Sequence, residues 1–451
     1  MTLEEQIAQR TAQMRFEEID ADLLHVLKRN ILDSYAGICG SLADIDMLRN
    51  FDRLAADPLV GDDVAVWGID RRAGLADAVF MNAILGRRSD LLDTYLSPNA
   101  MGGSHPSDNV ALALTLATHL SRGGRQLIES VFVAFTLSAA FSTYYDPESA
   151  NYDHDAVAPF YTALTIGHAL GLDEAQLTTA QRIAGMLGLD TNQAALGQVT
   201  DWKHCTYASA GMRAVQAVKL ARAGFDAPAE IYEGAAGVDR FFPHADTFFE
   251  PPVDLSKIIF KRWPALVFCQ TPIDVALDVA ERIEDPGAIE SVDVRTFELA
   301  FRNGGREAAA RPTSRAGRTH SIAYCVATAL LKPIAYDDFD EPRSRDADLQ
   351  RLLARVSVTE DASLTAAYPA ASSCEISVTL ADGSTVSARR EVPVGDPSDP
   401  LTDDDLTAKL REYFFFAANA AEREDVIARL WDLENQDDIS WLAGPLERRR
   451  L

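Results

Sequence analysis

The feature that most constrains this chain is a helical period of apolar residues. It recurs from about residue 20 to residue 223, and no β-rich run of comparable strength interrupts it. In LLHVLKRNILDSYAGICGSLA, Leu24, Val26, Leu27, Ile31, Leu32 and Ala36 stand at helical spacings, and the small residues that follow permit close packing. The period continues through Ala73–Gly86, Val110–Leu120, Leu127–Phe141, Ala158–Leu170, Leu177–Leu187 and Ser209–Ala223, with Gly or Asp/Thr at most ends. Residues 1–255 therefore read as an all-helical domain.

The pattern changes after the Pro-rich stretch FFEPPVDL. Ala288–Phe297 and Arg355–Val358 read as strands. Cys374–Val392 reads as a hairpin, from its alternation around an Asp-Gly turn. Helices are interleaved at Ile273–Ile283 and at Thr319–Leu331, with Thr319 as N-cap. Residues 256–400 thus form a smaller α+β lid domain. From GDPSDPLTDDDL onward the helical pattern returns, with Thr402 as a cap, so residues 401–451 pack back on the helical domain. The expected fold is mainly α: a large all-helical domain built from both chain ends, plus the α+β lid. A chain of 451 residues exceeds one ordinary core, and the cleft between domains is the default place for a site.

Charge narrows the partners. Lys and Arg number 42 against 68 Asp and Glu, a net charge of −26. So acidic a surface argues against a nucleic-acid or an anionic-membrane partner, and an anionic substrate would need cations gathered in a pocket. The five cysteines are far apart with no C-x-x-C, which supports neither a disulfide framework nor a cluster or zinc site. The start MTLEEQIAQR is acidic and amphipathic rather than a signal peptide, and the apolar run Val131–Phe141 is short for a membrane span. The expectation is a cytoplasmic protein. G-x-x-x-x-G-K-[ST], G-x-G-x-x-G, G-x-S-x-G and H-E-x-x-H are all absent, so nucleotide, serine-hydrolase and zincin readings lose their usual support.

Polar residues concentrate in a few knots. RRSDLLDTYLSPNAMGGSHPSDN (87–109) follows an apolar helix, and Pro98, Gly102 and Gly103 make its second half a loop. If the helix runs through Thr94, then Asp90, Asp93 and Thr94 share a face, and His105 completes an acid/base set. Spacing alone favours a capped helix end. In ANYDHDAVAP (150–159), Asp153, His154 and Asp155 have poor metal-ligand spacing and read better as an acidic helix cap. In TDWKHCTYASAG, Lys203 precedes a helix and could face an anion, although a solvated lysine is the blander reading. SKIIFKRWPALVF carries Lys257, Lys261 and Arg262, which could equally be snorkelling cations. RPTSRAGRTHS carries Arg311, Arg315, Arg318 and His320 ahead of an apolar helix; a solvated basic loop fits it as well.

In this order, these segments resemble the MmgE/PrpD family over nearly the whole chain, most of all its dehydratase-like branch. The similar segments are ILDSYAGICGSLA, the Asp-rich run ending in His-Pro-Ser-Asp-Asn, LGQVTDWKHCTYASAGMRAV, FKRWPALVFCQTPIDVALDV, PTSRAGRTHSIAYCVATALL and GDPSDPLTDDDLTAKL. The resemblance implies a helical domain formed by both chain ends, an α+β lid and a homodimer. It implies a cofactor-independent, metal-free lyase acting on a small anionic carboxylate. The most fitting activity is a hydro-lyase on a hydroxylated di- or tricarboxylate such as 2-methylcitrate. Alternatives are a decarboxylase or epimerase acting α to a carboxylate, or a catalytically decayed binding homologue. Asp90, Thr94, His105 and Lys203 are carried over as catalytic, with Asp93, His154, Lys261, Arg318 and His320 as substrate contacts. The sequence departs from the family pattern where a histidine often follows the Lys-x-aromatic-Pro segment. Leu266, Phe268 and Gln270 stand there instead, Gly317 and Arg318 replace Thr and Ala, and Met212 replaces Arg.

Overall fold

The computed structural model describes residues 1–97, 103–195, 199–416 and 419–448. The protein is mainly α, and its buried apolar residues separate into two cores. One runs from Ile7 to Phe260 and resumes from Leu401 to Leu446; the other spans Ala265 to Val378.

The helical core is built on Ala21–Ser41, Leu75–Arg88, Asp108–His119, Gly124–Tyr144, Ala158–Ala169, Glu174–Met186 and Thr206–Arg222. Each boundary falls within a few residues of the apolar period. The Asp20 side chain accepts from the Leu23 amide and Asp173 from the Gln176 amide, satisfying amides that the first helical turn leaves open. Gly124–Tyr144 is long and apolar enough to cross a membrane, longer than the Val131–Phe141 run suggests, but 83% of that window is buried inside the protein. The C-terminal helices Asp403–Tyr413 and Ala420–Trp431 and the helix Ser440–Glu447 close this core. Thr402 caps the first of them, accepting from the Asp405 amide. Close approach needs missing side chains here: a Cβ on Gly124 would lie 1.7 Å from the Leu433 carbonyl oxygen, and one on Gly40 would lie 2.6 Å from the Tyr413 ring. Tyr35 Oη donates to the Leu442 carbonyl at 2.9 Å, joining the early helix to the chain's end.

The second core packs a four-stranded sheet against helices Val267–Ala280 and Ile322–Leu331. Strand order is Val356–Glu360, Ile289–Thr296, Cys374–Leu380, Thr385–Arg390; the first pair is parallel, the others antiparallel. In the central strand Val292, Val294 and Thr296 face inward, with Val292 opposite Val378 and Val294 opposite Ile376. The hairpin turns at Asp382-Gly383, with Gly383 at φ +83°. The apolar helix does not start at Thr319. A short helix Arg315–Thr319 ends there, and Ser321 caps the next by accepting from the Tyr324 amide. That break sets His320 in the corner between two helices.

Candidate active site

A cavity of about 140 Å³ lies between the two cores. The helical side contributes Arg87, Asp90, Thr94, His105, Glu148, His154 and Lys203; the sheet side contributes Leu266, Phe268, Arg302, His320 and Tyr368.

Asp90 does not sit on a helix face with Asp93 and Thr94. The helix ends at Arg88, and Asp90 takes φ +56°, a left-handed conformation that is uncommon for a residue with a side chain. Tertiary pairing overrides the local period: Thr94 and Ile259 exchange backbone hydrogen bonds of 2.9 and 2.8 Å. Lys261, two residues after Ile259, then donates to the Asp90 carbonyl at 3.2 Å and to its Oδ1 at 2.8 Å. Burial would push the Asp90 carboxyl up, but the Lys261 charge and the imidazoles of His320 and His204 outweigh it and hold the group well below the usual carboxylate range. Lys261 is fully buried, and that burial lowers its own pKa despite Asp90. Its carbonyl accepts from Lys409 Nζ at 2.6 Å, and the same ammonium donates to Asp33 Oδ1 at 2.6 Å. Lys261 therefore stands behind Asp90 and, unlike Asp90, does not line the cavity.

His105 Nδ1 lies 2.6 Å from the Asp93 carbonyl oxygen and 3.3 Å from Thr94 Oγ1. A carbonyl only accepts, so Nδ1 carries the hydrogen and Nε2 keeps its lone pair. His320 is fixed in the same way, with Nδ1 2.9 Å from the Ala316 carbonyl and 3.4 Å from Asp90 Oδ2. Burial, the largest effect, holds His105 well below its ordinary value, Arg87 and Lys261 adding to it; burial also pushes His320 down to about 4 against the pull of Asp90. Both rings are therefore neutral near pH 7, and among the described residues no hydrogen bond reaches either Nε2.

Lys203 lies in a single turn, Asp201–Cys205, just before helix Thr206–Arg222. Its ammonium donates to Asp153 Oδ2 at 2.7 Å and approaches His154 Nδ1 at 3.4 Å. Burial would raise Asp153, but Lys203 and His154 outweigh it and keep its carboxyl ionised. Asp153 also caps the turn that begins at His154, accepting from the Asp155 amide, in line with the capping reading. Arg87 donates to Asp108 Oδ2 at 3.1 Å and reaches His154 Nε2 at 3.3 Å. The His154 and His105 rings meet edge to face at 5.3 Å. One carboxylate oxygen each from Asp108 and Asp155 and one nitrogen of His154 fall within 4.8 Å of one another, the spacing of a metal-ligand group. The Arg87 guanidinium and the Thr206 hydroxyl already bond to these carboxylates, so that space carries a cation of its own.

Asp90, Thr94, His105, His154, Lys203 and His320 thus meet around one cavity. Asp93 and Arg318 do not line it. Asp93 is turned into the protein, where Oδ1 accepts from the Ser107 amide at 3.0 Å and hydroxyl at 2.6 Å, and burial pushes its carboxyl up to about 7. Arg318 donates to the Phe339 carbonyl at 2.6 Å and serves the sheet-side core. Arg87, Glu148, Arg302 and Tyr368 were missed by the sequence reading. Arg87 belongs to a marked segment, whereas Glu148 and Arg302 lie in stretches without a polar knot. Leu266 and Phe268, at the departure from the family histidine, give the cavity an apolar wall. Gly103 pairs with Leu96 in a two-residue strand instead of a loop; the loop reading at Pro98 and Gly102, and the start of the lysine motif at residues 196–198, lie outside the described residues.

The architecture defines a class: two cores, one helical and closed by both chain ends, one α+β, with paired charges and neutral histidines between. The chain matches the MmgE/PrpD N-terminal domain over residues 5–249 and the MmgE/PrpD C-terminal domain over residues 263–433. It belongs to the MmgE/PrpD family. It is 25% identical to cis-aconitate decarboxylase of Homo sapiens, over 93% of this chain and 89% of that protein. It is 24% identical to the mouse (Mus musculus) cis-aconitate decarboxylase, over 93% and 88%. With a probable 2-methylcitrate dehydratase of Saccharomyces cerevisiae it shares 24% identity over 58% of this chain and 56% of that protein. These relatives are named as enzymes, a decarboxylase and a dehydratase.

Proposed function

We propose that this protein is a cofactor-independent lyase that eliminates water from a small hydroxylated di- or tricarboxylate. The observation that carries this reading is the pinned His105: its Nδ1 hydrogen is committed to the Asp93 carbonyl, leaving Nε2 as a base in a cavity that also holds Asp90 and Lys203. Removing a proton α to a carboxylate creates a dianionic, enolate-like species, which needs fixed cations where charge develops. Lys203 and Arg87 supply them. His105 Nε2 takes the α-proton, the electrons of that C–H bond form the new double bond, and the resulting imidazolium gives the proton to the departing hydroxyl, which leaves as water. The ionised Asp90 is the alternative base, and Thr94, hydrogen-bonded toward His105, orients the substrate. A dimer of this chain, as the family resemblance implies, would present two such sites.

Decarboxylation of a related acid is the second reading, favoured by the near full-length similarity to the human decarboxylase. An NMR screen of hydroxy- and oxo-polycarboxylates in D₂O separates them. Loss of water supports the first reading and loss of CO₂ the second, whereas deuterium uptake alone indicates epimerisation. A protein that changes none of these acids refutes the lyase assignment.

A further inference from the structure

The cavity has a charge problem that its ion pairs do not solve. Its side-chain cations are Arg87, Lys203 and Arg302, with Lys261 behind the wall. Facing them are Asp90, Asp146 and Glu148 on the wall and Asp108, Asp153 and Asp155 just behind. Burial pushes the Asp108 carboxyl well above its ordinary value despite Arg87; even without it, among the described residues five carboxylates face four cations, and the histidines add no charge near neutral pH. A polycarboxylate entering this cavity therefore meets a net negative site unless a proton comes with it.

Most of these carboxylates are committed. Asp90 is held by Lys261, Asp153 by Lys203, Asp108 by Arg87, and Asp155 accepts from the Thr206 hydroxyl. Asp146 caps its turn by accepting from the Ser149 amide. Glu148 differs. It opens the short turn Glu148–Ala150 and lines the cavity, and among the described residues no hydrogen bond or ion pair reaches its carboxyl. Arg302, on the π-helical turn Phe301–Gly305 of the sheet side, is likewise an unpaired cavity cation among the described residues.

We propose that Glu148 is the proton-accepting group of the site, binding the substrate in its neutral form and donating its hydrogen to a substrate carboxylate that Arg302 and Lys203 also contact. This rests on the reading of the substrate as a polycarboxylate. The groups facing Glu148 are Lys203, which favours its ionised form, Asp153, Arg302 and Asp146, with Tyr368 on the sheet side. Burial raises its pKa most, Asp153 and Asp146 add to that, and Lys203 and Arg302 oppose it. A substrate carboxylate placed against it raises it further. Binding is then tightest below the pKa of the free protein, and weakens as pH rises through the higher pKa of the complex, by about tenfold per unit for one proton.

The probe is propane-1,2,3-tricarboxylate, which has no hydroxyl to eliminate, titrated calorimetrically in buffers of different ionisation heat between pH 6 and 8. The wild-type protein should take up close to one proton per ligand bound. Glu148→Gln should still bind within a few-fold at pH 6, lose the uptake and bind with an affinity that no longer falls with pH. Glu148→Ala should lose the uptake too. Unchanged uptake in both variants would place the proton on another group, a histidine or a buried carboxyl such as Asp93, and overturn the proposal, as would wild-type binding with no uptake. If neither this probe nor citrate binds at all, the substrate reading falls, and this inference with it.

Discussion

Asp90 and Lys203 face one cavity with opposite signs, and each is backed by a buried partner of the other sign. On one side the carboxylate is pushed forward and Lys261 stands behind; on the other the ammonium is forward and Asp153 is behind. The two backings differ in depth. Lys261 is linked through its own carbonyl to Lys409 and Asp33, so the anionic side is tied to an early and a late helix at once. Asp153 sits in a short turn and keeps other partners, His154 Nδ1 at 3.1 Å and the Asp155 amide. The sign that a wall presents is decided by which member of a pair the backbone sends forward. The strength of its anchoring depends on what else the rear member holds.

The largest expected effect tests that difference in depth. Lys261→Ala leaves the buried Asp90 carboxyl without its ammonium, with only His320 at 3.4 Å beside it among the described residues, and should cost about 3–5 kcal/mol of stability in a denaturant titration. Lys203→Ala should cost clearly less, because Asp153 keeps His154 and an amide. Equal losses would break the comparison. Lys203→Ala should show in turnover instead, lowering kcat by roughly 100-fold or more if its charge stabilises the developing anion. His105→Ala should cost a similar factor and remove one limb of the pH–rate profile. Near-normal turnover in either variant would remove that residue from the mechanism.

A smaller effect separates Asp93 from its neighbour Asp90. With its pKa raised to about 7, Asp93 contributes stability as the neutral acid, fully present below its unfolded value and lost as pH rises through 7. Asp90 has the opposite sign: its depressed pKa contributes stability above its unfolded value, lost as pH falls. Asp93→Asn should therefore narrow the difference in Tm between pH 5 and pH 8. An unchanged difference would mean Asp93 titrates normally. Smallest is the effect of salt. At −26, the protein repels an anionic substrate at long range, so moderate salt should leave kcat/KM unchanged or raise it a few-fold. A steep fall would show that exposed cations steer the substrate.

Much of the helical half was legible because a 3.6-residue period is a local property. Ala158–Leu170 was expected and Ala158–Ala169 is found; the hairpin around Asp382-Gly383 was legible from alternation and one turn dipeptide. At Asp90 spacing favoured a capped helix end, and the helix does end at Arg88, with Ser107 opening the next one. What nothing local announces is that Thr94 pairs with Ile259, 165 positions further along the chain. Asp93 and Arg318, which the resemblance implies as substrate contacts, do not line the cavity: Asp93 is bonded to Ser107 and Arg318 to the Phe339 carbonyl. Glu148 and Arg302 had no local signal, because a single charged residue in a polar turn looks like any other.

The sequence by itself determined the mainly α fold, most of the helix and strand positions of the two cores and the family, since periodicity, caps and ordered motifs are carried along the chain. It also marked six of the residues that meet at the cavity. Only the tertiary structure decided which charges are paired, which member of each pair faces the cavity, and which histidine nitrogens are free. These depend on contacts between segments far apart in the chain, such as Lys261 with Asp90 and Lys203 with Asp153, and on burial, which makes an unpaired charge too costly to persist.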